Sequence, residues 1–431
     1  MERILYQNLL KWKDAKNRKP LLLDGARQVG KTWLLQHFGQ TAFENMVYLN
    51  CDGDTQIRII FENNYDIRRI LTEISAFTEC RITEGRTLLV LDEIQEVPRA
   101  LTALKYFHEQ MPLLHVAAAG SRLGIAMHAD TSFPVGKTDL LRLYPLSFPE
   151  FVRAVHGAQL YRVLTEETPE KQTSLKKKLN ELLRQYYFTG GMPEAVNAFI
   201  RNAPPEEIRT VQNAILYAYE KDISKHVPPQ EAERVHQVWN AIPAQLAKEN
   251  RKFLYGALRK GSRAATYEAA IGWLTDAGLV YRIPRVKKAQ LPLKFYEDNA
   301  FKLFMLDCGL MGALSETPSK NMLIGETVFE EYKGAFTEQY VLQQLLSAGG
   351  WHIYYYSAED SKQELDFLLQ REDRIIPVEV KASENLRAKS LRQFVADHPP
   401  EKGVRLSLSD YRKQDWMRNI PLYDAWRSDL Y

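Results

Sequence analysis

The chain has 431 residues and a formal net charge of only +3, which predicts several domains and excludes a protein that binds polyanions over its whole surface. A local basic patch remains compatible with this balance. Hydrophobic residues make up 45% and charged residues 26%, close to the average of globular proteins, which excludes a mostly disordered chain.

The three cysteines, Cys51, Cys80 and Cys308, form no CxxC pair, so neither a disulfide framework nor a cysteine-ligated zinc site is expected. The first residues have no apolar core of the kind found in signal peptides. No uncharged apolar run approaches the roughly 18 residues of a membrane span. These features predict a cytoplasmic protein without a membrane partner.

A glycine-rich loop follows the first predicted strand, Pro20–Asp24. The loop is followed by an apolar-periodic stretch, so strand, loop and helix occur in the order that a GxxxxGK[ST] motif requires. Backbone N–H groups of such a loop face phosphate oxygens, and the helix N-terminus adds positive charge. Lys31 is predicted to reach the β- and γ-phosphates, and the Thr32 hydroxyl to hold Mg²⁺. The predicted phosphate-binding residues are Gly25, Ala26, Arg27, Gln28, Val29, Gly30, Lys31 and Thr32.

A second apolar run, residues 88–91, ends in Asp92 and Glu93. Four apolar residues in a row are typical of a strand buried on both faces of a parallel sheet. Ligands of open α/β sheets bind at the carboxyl ends of such strands. We therefore expect Asp92 to bind the metal through water, and Glu93 to orient or deprotonate the attacking water.

A third strand is predicted at residues 113–119, followed by Ser121. Ser121 is a candidate to contact the γ-phosphate or the attacking water, although an ordinary turn serine is an equal alternative. Arg122 and Arg142 are candidates for fingers that stabilise charge on the phosphates, with common surface arginines as the alternative.

These segments, together with LYPLSFPEF at residues 143–151 and TGGMPEAV at 189–196, resemble a large group of bacterial and archaeal AAA-type ATP-binding proteins. The resemblance covers essentially the whole chain. It implies an α/β fold that binds ATP and Mg²⁺, and it suggests self-association. The implied domains are a P-loop ATPase domain at 1–150, a helical lid region at 151–228, a winged helix-like module at 229–292 and a restriction-endonuclease-like domain at 293–431.

The chain departs from these relatives at Gly136-Lys137, where they usually carry Gly-Arg. If that arginine acts as a finger between subunits, Lys137 offers a point charge without the planar fork of a guanidinium. The departure bears on hydrolysis more than on nucleotide binding. It also weakens the argument for self-association.

The middle of the chain has a helical pattern from about Phe148 to Lys225, and three helices with a hairpin are expected over residues 231–290. The latter segment resembles a winged helix-turn-helix, and the alternative is a domain that packs against the ATPase or another protomer. Five of its side chains are candidates for phosphate contacts. They are Lys260, Arg263, Tyr267, Lys287 and Lys288.

Two charged strands are expected near the C-terminus, one with ELDF at residues 364–367 and one with VEVK at 378–381. Side chains alternate along a strand, so Glu379 and Lys381 share one face, as do Glu364 and Asp366. Carboxylates on paired strands predict a magnesium site, and Lys381 is a candidate to position water or offset charge on a phosphodiester.

The order of these residues, preceded by Glu338 on a predicted helix, resembles the core of restriction-endonuclease-like nucleases. The resemblance implies Glu338, Asp366 and Glu379 as metal ligands and Lys381 as a catalytic residue. The alternative is an inert remnant retained for packing or nucleic-acid contact.

Three functions are compatible with the sequence. The first is an ATPase whose nucleotide cycle controls a nuclease-like module directed at nucleic acid, with DNA favoured. The second is a regulatory or scaffold ATPase whose C-terminal domain binds a protein partner without cleavage. The third is a winged-helix DNA-binding regulator.

Overall fold

The computed structural model describes residues 1–121, 136–248, 251–259, 261, 263–319, 323, 330–358, 363–383, 388–399 and 402–431. The candidates Arg122 and Lys260 lie outside these residues. The chain divides into two compact units. One comprises Met1–Tyr144 with Asp276–Gly278, and the other Pro145–Thr275 with Leu279–Tyr431.

The first unit is built on a sheet of five parallel strands in the order β2-β3-β4-β1-β5. The strands are β1 (Leu21–Gly25), β2 (Asn45–Asn50), β3 (Thr87–Asp92), β4 (His115–Ser121) and β5 (Asp139–Arg142). Every residue of β1, β3 and β4 is buried, which explains their continuous apolar runs. The parallel sheet and the three predicted strands are therefore confirmed.

The described residues of this unit form the helices α1 (Tyr6–Asp14), α2 (Lys31–Ala42), α3 (Thr55–Glu62), α4 (Ile67–Thr78) and α5 (Pro98–Gln110). Their apolar faces cover the sheet, and α3, α4 and α5 share one core cluster with β3. Aspartates begin two of these helices, since Asp54 accepts a hydrogen bond from the N–H of Gln56 and Asp66 from that of Arg68. This core fixes the strand ends at which the predicted site residues lie.

The second unit combines helices with a sheet of eight strands in the order β12-β13-β11-β10-β9-β8-β6-β7. Its strands are β6 (Val280–Val286), β7 (Glu297–Met305), β8 (His352–Ser357), β9 (Glu364–Arg371), β10 (Arg374–Val380), β11 (Gly403–Ser407), β12 (Arg412–Lys413) and β13 (Met417–Pro421). Its helices are α6 (Phe148–His156), α7 (Ala158–Glu166), α8 (Lys176–Thr189), α9 (Pro193–Ile200), α10 (Pro205–His226), α11 (Pro229–Leu246), α12 (Ala264–Asp276), α13 (Cys308–Leu314), α14 (Glu330–Ala348) and α15 (Lys389–Asp397).

β6 and β7 pair antiparallel and form a hairpin, although β7 lies beyond the range 231–290 in which a hairpin was expected. However, β6 also pairs in parallel with β8, so the hairpin is part of the C-terminal sheet. The predicted boundary between residues 292 and 293 falls in the connection of two strands that this sheet keeps together. Because β6 pairs with β8 as well as with β7, the hairpin has no free edge along β6. The wing of an independent module would have a free edge there.

The TGGMPEAV segment has a structural role within this unit. The Asp307 carboxylate is fully buried and accepts hydrogen bonds from the N–H groups of Gly191 (2.6 Å) and Leu310 (3.0 Å) and from Gln343 (3.0 Å). A Cβ at Gly190 would overlap this carboxylate, and a Cβ at Gly191 would overlap the carbonyl oxygen of Leu146. The two glycines are therefore required by close packing.

Among the residues that the structure describes, no helix combines the length and the apolar character needed to span a bilayer.

Candidate functional site

The loop between β1 and α2 has the backbone conformation of a tight turn. Gln28 and Gly30 both have positive φ angles, 65° and 96°, and Gly30 directly precedes α2. A Cβ at Gly25 would overlap the carbonyl oxygen of Leu143, so glycine is required where β1 ends. The predicted phosphate-binding residues therefore form one curled segment leading into a helix N-terminus.

Two arginines that lie outside the motif hold this loop. Arg3 is buried and donates a hydrogen bond from Nη1 to the carbonyl oxygen of Val29 at 2.9 Å. Arg142, on β5, donates from Nε to Oδ2 of Asp24 at 3.0 Å, next to the start of the loop. The candidate finger Arg142 is thus bonded to the strand that carries the loop. The role of Arg3 was not foreseen, because nothing in its local sequence indicates a contact 26 residues away.

The ammonium group of Lys31 is folded back onto the loop. Its Nζ donates hydrogen bonds to the carbonyl oxygens of Gly25 at 3.0 Å and Ala26 at 2.9 Å. Burial lowers the pKa of Lys31, and the nearby carboxylates of Glu93, Asp92 and Asp24 oppose this shift. The loop carbonyls therefore hold the lysine charge next to the loop in the protein without nucleotide.

The tips of α2 and β3 meet at Thr32 and Asp92, as the sequence predicted for a shared metal ion. The Thr32 hydroxyl donates to Oδ2 of Asp92 at 2.6 Å. Tyr48, on β2, donates to the same oxygen at 2.8 Å. Burial, together with this hydrogen bond, raises the pKa of Tyr48. Sequence reasoning missed Tyr48, although its position on a strand next to β3 is the signal that could have identified it.

Glu93 follows β3 in the left-handed conformation, with a φ angle of 49°. Its Oε2 accepts a hydrogen bond from Nε2 of Gln95 at 2.6 Å. A non-glycine residue at positive φ is uncommon and costs energy, and such residues concentrate at functional sites. Gln95 thus holds the carboxylate that the sequence assigns to the attacking water.

Ser121 ends β4 and is paired in register with Gly25, the first loop residue. Because β4 lies between β1 and β3, the strand order places Ser121 at the edge of the sheet that carries the loop and Asp92. Lys137 has its Nζ 3.2 Å from Oε1 of Glu109.

The predicted C-terminal site residues lie close together, but their charges are paired. Nζ of Lys381 is 2.6 Å from Oε1 of Glu379, and Oδ2 of Asp366 accepts a hydrogen bond from the N–H of Val380 at 2.7 Å. Burial raises the pKa of Glu379, and Lys381 opposes that shift.

Two further cations contact the carboxylates of this group. Arg251 pairs with Glu338 and lies 3.3 Å from Oδ1 of Asp366, measured from Nη1. Nζ of Lys302 is 3.8 Å from Oε2 of Glu338. Across the described part of the chain, no three His, Cys, Asp or Glu side chains are grouped to hold a metal ion. The structure places basic side chains among the carboxylate oxygens of Glu338, Asp366 and Glu379, the residues that the sequence predicts as metal ligands.

One candidate for nucleic-acid contact is not accessible. Tyr267 is 3% exposed and donates its hydroxyl hydrogen to Oε1 of Gln237 at 2.7 Å. It packs on α11 instead of facing a phosphate backbone. Lys287 has its Nζ 3.4 Å from Oδ2 of Asp298.

Comparison with known families decides the identity of the first unit. Residues 17–152 match the family described as AAA domain, and this range contains the whole five-stranded sheet with its phosphate loop. The chain contains an AAA domain. With its P-loop and the carboxylates that end β3, this AAA domain is an ATP-binding ATPase domain.

Two other regions outside the AAA domain match families without an assigned function. Residues 180–321 match a domain of unknown function, DUF8612, and residues 333–424 match a second, DUF4143. No match was found among curated proteins. Among solved structures, a crystal structure of Cdc6p from Pyrobaculum aerophilum is 14% identical and covers 72% of this chain and 92% of its own. Its TM-score of 0.25 is too low to indicate a shared fold.

Proposed function

We propose that the protein is a magnesium-dependent ATPase whose catalytic centre lies in the AAA domain. The observation that carries the proposal is the meeting of Thr32 and Asp92, whose side-chain oxygens are 2.6 Å apart although 60 residues separate them. A hydroxyl and a carboxylate provide hard oxygen donors of the kind that Mg²⁺ prefers, so this pair fits the metal. When bound, Mg²⁺ would neutralise charge on the phosphate oxygens.

The other site residues then have distinct roles. Lys31 would leave the carbonyl oxygens of Gly25 and Ala26 and place its ammonium group against the β- and γ-phosphates. Glu93 would accept a proton from the attacking water, with Gln95 fixing one of its oxygens. Ser121 would contact the γ-phosphate or the water from the end of β4. The products are ADP and phosphate.

The experiment that tests this proposal compares Lys31→Ala with Lys11→Ala. Lys11 is exposed on α1 and serves as a matched loss of one positive charge in the same unit. We expect Lys31→Ala to abolish ATP turnover in Mg²⁺ and to weaken ATP binding in calorimetry, while Lys11→Ala behaves as wild type. Full turnover by a correctly folded Lys31→Ala protein would contradict the proposal.

We propose that the nucleotide cycle controls the activity of the C-terminal region, residues 293–431, toward a partner. For this region two candidates remain, a nucleic-acid-directed nuclease-like module and a binding module that does not cleave. One observation favours the second, because Arg251 and Lys302 pair with carboxylates that the nuclease hypothesis assigns to a metal.

A cleavage assay separates these two candidates. Plasmid DNA and single-stranded RNA are incubated with wild-type protein, ATP and either Mg²⁺ or Mn²⁺, alongside Asp366→Ala. We expect both substrates to remain intact with both proteins. Cleavage that wild type performs and Asp366→Ala has lost would establish the nuclease.

A further inference from the structure

The Arg251 guanidinium lies between two carboxylates that come from different elements of the C-terminal region. It pairs with Glu338, on α14, and its Nη1 is 3.3 Å from Oδ1 of Asp366, on β9. Glu338 is only 1% exposed, so its charge is removed from water and needs a partner. Arg251 pairs with Glu338, and it also reaches Asp366, which lies 115 residues later in the sequence.

The absence of a side chain at Gly334 leaves room on α14 for the guanidinium of Arg251. Gly334 precedes Glu338 by one turn of α14, and a Cβ at Gly334 would lie 2.6 Å from Nη2 of Arg251. A larger residue there would therefore require the guanidinium, at the far end of the arginine side chain, to shift. We call the group formed by Gly334, Glu338 and Asp366 the guanidinium socket.

The backbone around Arg251 directs this side chain into the socket. Arg251 has a positive φ angle of 48°, a conformation that is costly for a non-glycine residue. Two residues later, the N–H of Phe253 bonds to the carbonyl oxygen of Phe301 on β7 at 2.9 Å, and the two rings stack. The position of Arg251 is thus fixed by the sheet and is not that of a surface side chain lying against an acidic patch.

Lys302 adds a second buried cation from the neighbouring strand β7. Its side chain is 0% exposed, and its Nζ is 3.1 Å from Oε1 of Glu364 and 3.8 Å from Oε2 of Glu338. Arg251 and Lys302 together place two positive charges among Glu338, Glu364 and Asp366. This is the charge that one divalent cation would supply.

The carboxylates therefore do not fit Mg²⁺ as they stand. Mg²⁺ requires carboxylate oxygens and water at short distances in octahedral geometry, and an arginine fork occupies the space that these ligands would need. We propose that Arg251, with Lys302, takes the place of a divalent cation at Glu338 and Asp366, so that the C-terminal region works without a metal at this cluster. The proposal does not depend on the ATPase activity of the AAA domain.

Mn²⁺ binding to the full chain, followed by electron paramagnetic resonance without nucleotide, tests this. All proteins carry Thr32→Ala, so that the AAA domain contributes no metal site. We expect no stoichiometric Mn²⁺ with Arg251 intact, and one Mn²⁺ per chain in Arg251→Ala. Adding Asp366→Asn to Arg251→Ala should remove that ion again. Arg282→Ala is the matched control, because Arg282 pairs at 2.8 Å with Glu268, which is not a residue of the socket, and this variant should bind no Mn²⁺.

Two results would overturn the proposal. One is stoichiometric Mn²⁺ in the protein with Arg251 intact that Asp366→Asn abolishes, since the cluster would then hold a metal beside the arginine. The other is a folded Arg251→Ala protein that binds no Mn²⁺, since the arginine would then replace nothing. If circular dichroism shows Arg251→Ala to be unfolded, Arg251→Met retains the volume of the apolar stem, and the same two criteria apply to it.

Discussion

The hydroxyl of Thr32 donates a hydrogen bond to Oδ2 of Asp92 at 2.6 Å, joining the first turn of α2 to the end of β3. Tyr48 donates to the same oxygen at 2.8 Å. These two hydrogen bonds orient the buried Asp92 carboxylate toward the N-terminus of α2, which follows the phosphate loop. The orientation of Asp92 toward Thr32 is thus already in place in the protein alone, which reduces the reorganisation that this part of the site must undergo on binding.

Replacing Thr32 by valine should separate metal-assisted binding from the rest of the site. Valine keeps the branched shape but removes the hydroxyl. We expect ATP turnover in Mg²⁺ to fall at least about tenfold, or roughly 1.4 kcal/mol, while ATP affinity measured in EDTA changes little. Thr32→Ser retains the hydroxyl and should keep most of the activity. Wild-type turnover by Thr32→Val would argue against a role of this hydroxyl at the metal.

Glu93→Gln should leave ATP binding intact while removing catalysis. The amide keeps the size of the side chain but accepts a proton from water far less readily. Loss of a general base typically costs about 10²–10⁴ in rate, and we expect a decrease of that order in turnover. Glu96→Gln removes the same charge from the same turn and is the matched control. Equal turnover by Glu93→Gln and Glu96→Gln would exclude Glu93 as the base.

The sequence predicts those parts of the site that are formed by residues close together in the chain. A glycine loop after an apolar run, and two carboxylates after another, are readable because each depends on a few neighbouring residues. The pairing of β1 with β4 then brings Ser121 beside Gly25, as the position at a strand end suggested. The alternation in VEVK predicted that Glu379 and Lys381 share one face of a strand, and their side chains are in contact in the structure.

The parts that could not be predicted depend on contacts between distant segments. Arg251 lies far before Glu338 and Asp366 in the sequence, and no pattern in its neighbouring residues indicates a contact with either carboxylate. Lys302 reads as an ordinary polar residue of a strand, yet it is 0% exposed. The C-terminal carboxylates therefore suggested a metal, because the sequence did not show which cations the fold places among them.

Because Gly190 packs against Asp307, we expect its replacement to destabilise the protein far more than replacement of Gly157, which has a similar backbone conformation. Gly190 and Gly157 end α8 and α6 with nearly identical angles, φ 73° and ψ −167° against φ 81° and ψ −175°. Both would suffer about 1–3 kcal/mol of backbone strain as alanine. Only at Gly190 would the new Cβ displace the Asp307 carboxylate, since the space around Gly157 is open.

We therefore expect Gly190→Ala to lower the thermal unfolding midpoint much more than Gly157→Ala. The difference should correspond to about 3 kcal/mol or more, because Asp307 would lose hydrogen bonds while remaining buried. Differential scanning calorimetry of the two variants gives the comparison directly. Equal midpoints would show that Asp307 can move at little cost.

Asp424 should make the folded protein less stable as the pH rises. Its side chain is fully buried, and neither carboxylate oxygen has a hydrogen-bond partner among the described residues. Burial raises the pKa of Asp424 to about 7, against the opposing charge of Arg427. The folded state therefore holds a proton between about pH 4 and pH 7 that the unfolded chain has released, and stability falls across this window.

Asp424→Asn should remove this dependence, because the amide carries no charge at any of these pH values. Relative to wild type, we expect the free energy of unfolding of Asp424→Asn to gain progressively from pH 4 to pH 8, by up to about 4 kcal/mol for a shift of three pKa units. Urea denaturation of both proteins at several pH values measures the difference, and Asp429→Asn, which removes a more exposed carboxylate nearby, is the control. Parallel pH profiles for wild type and Asp424→Asn would mean that Asp424 is ionised in the folded protein, with its charge stabilised by the fold.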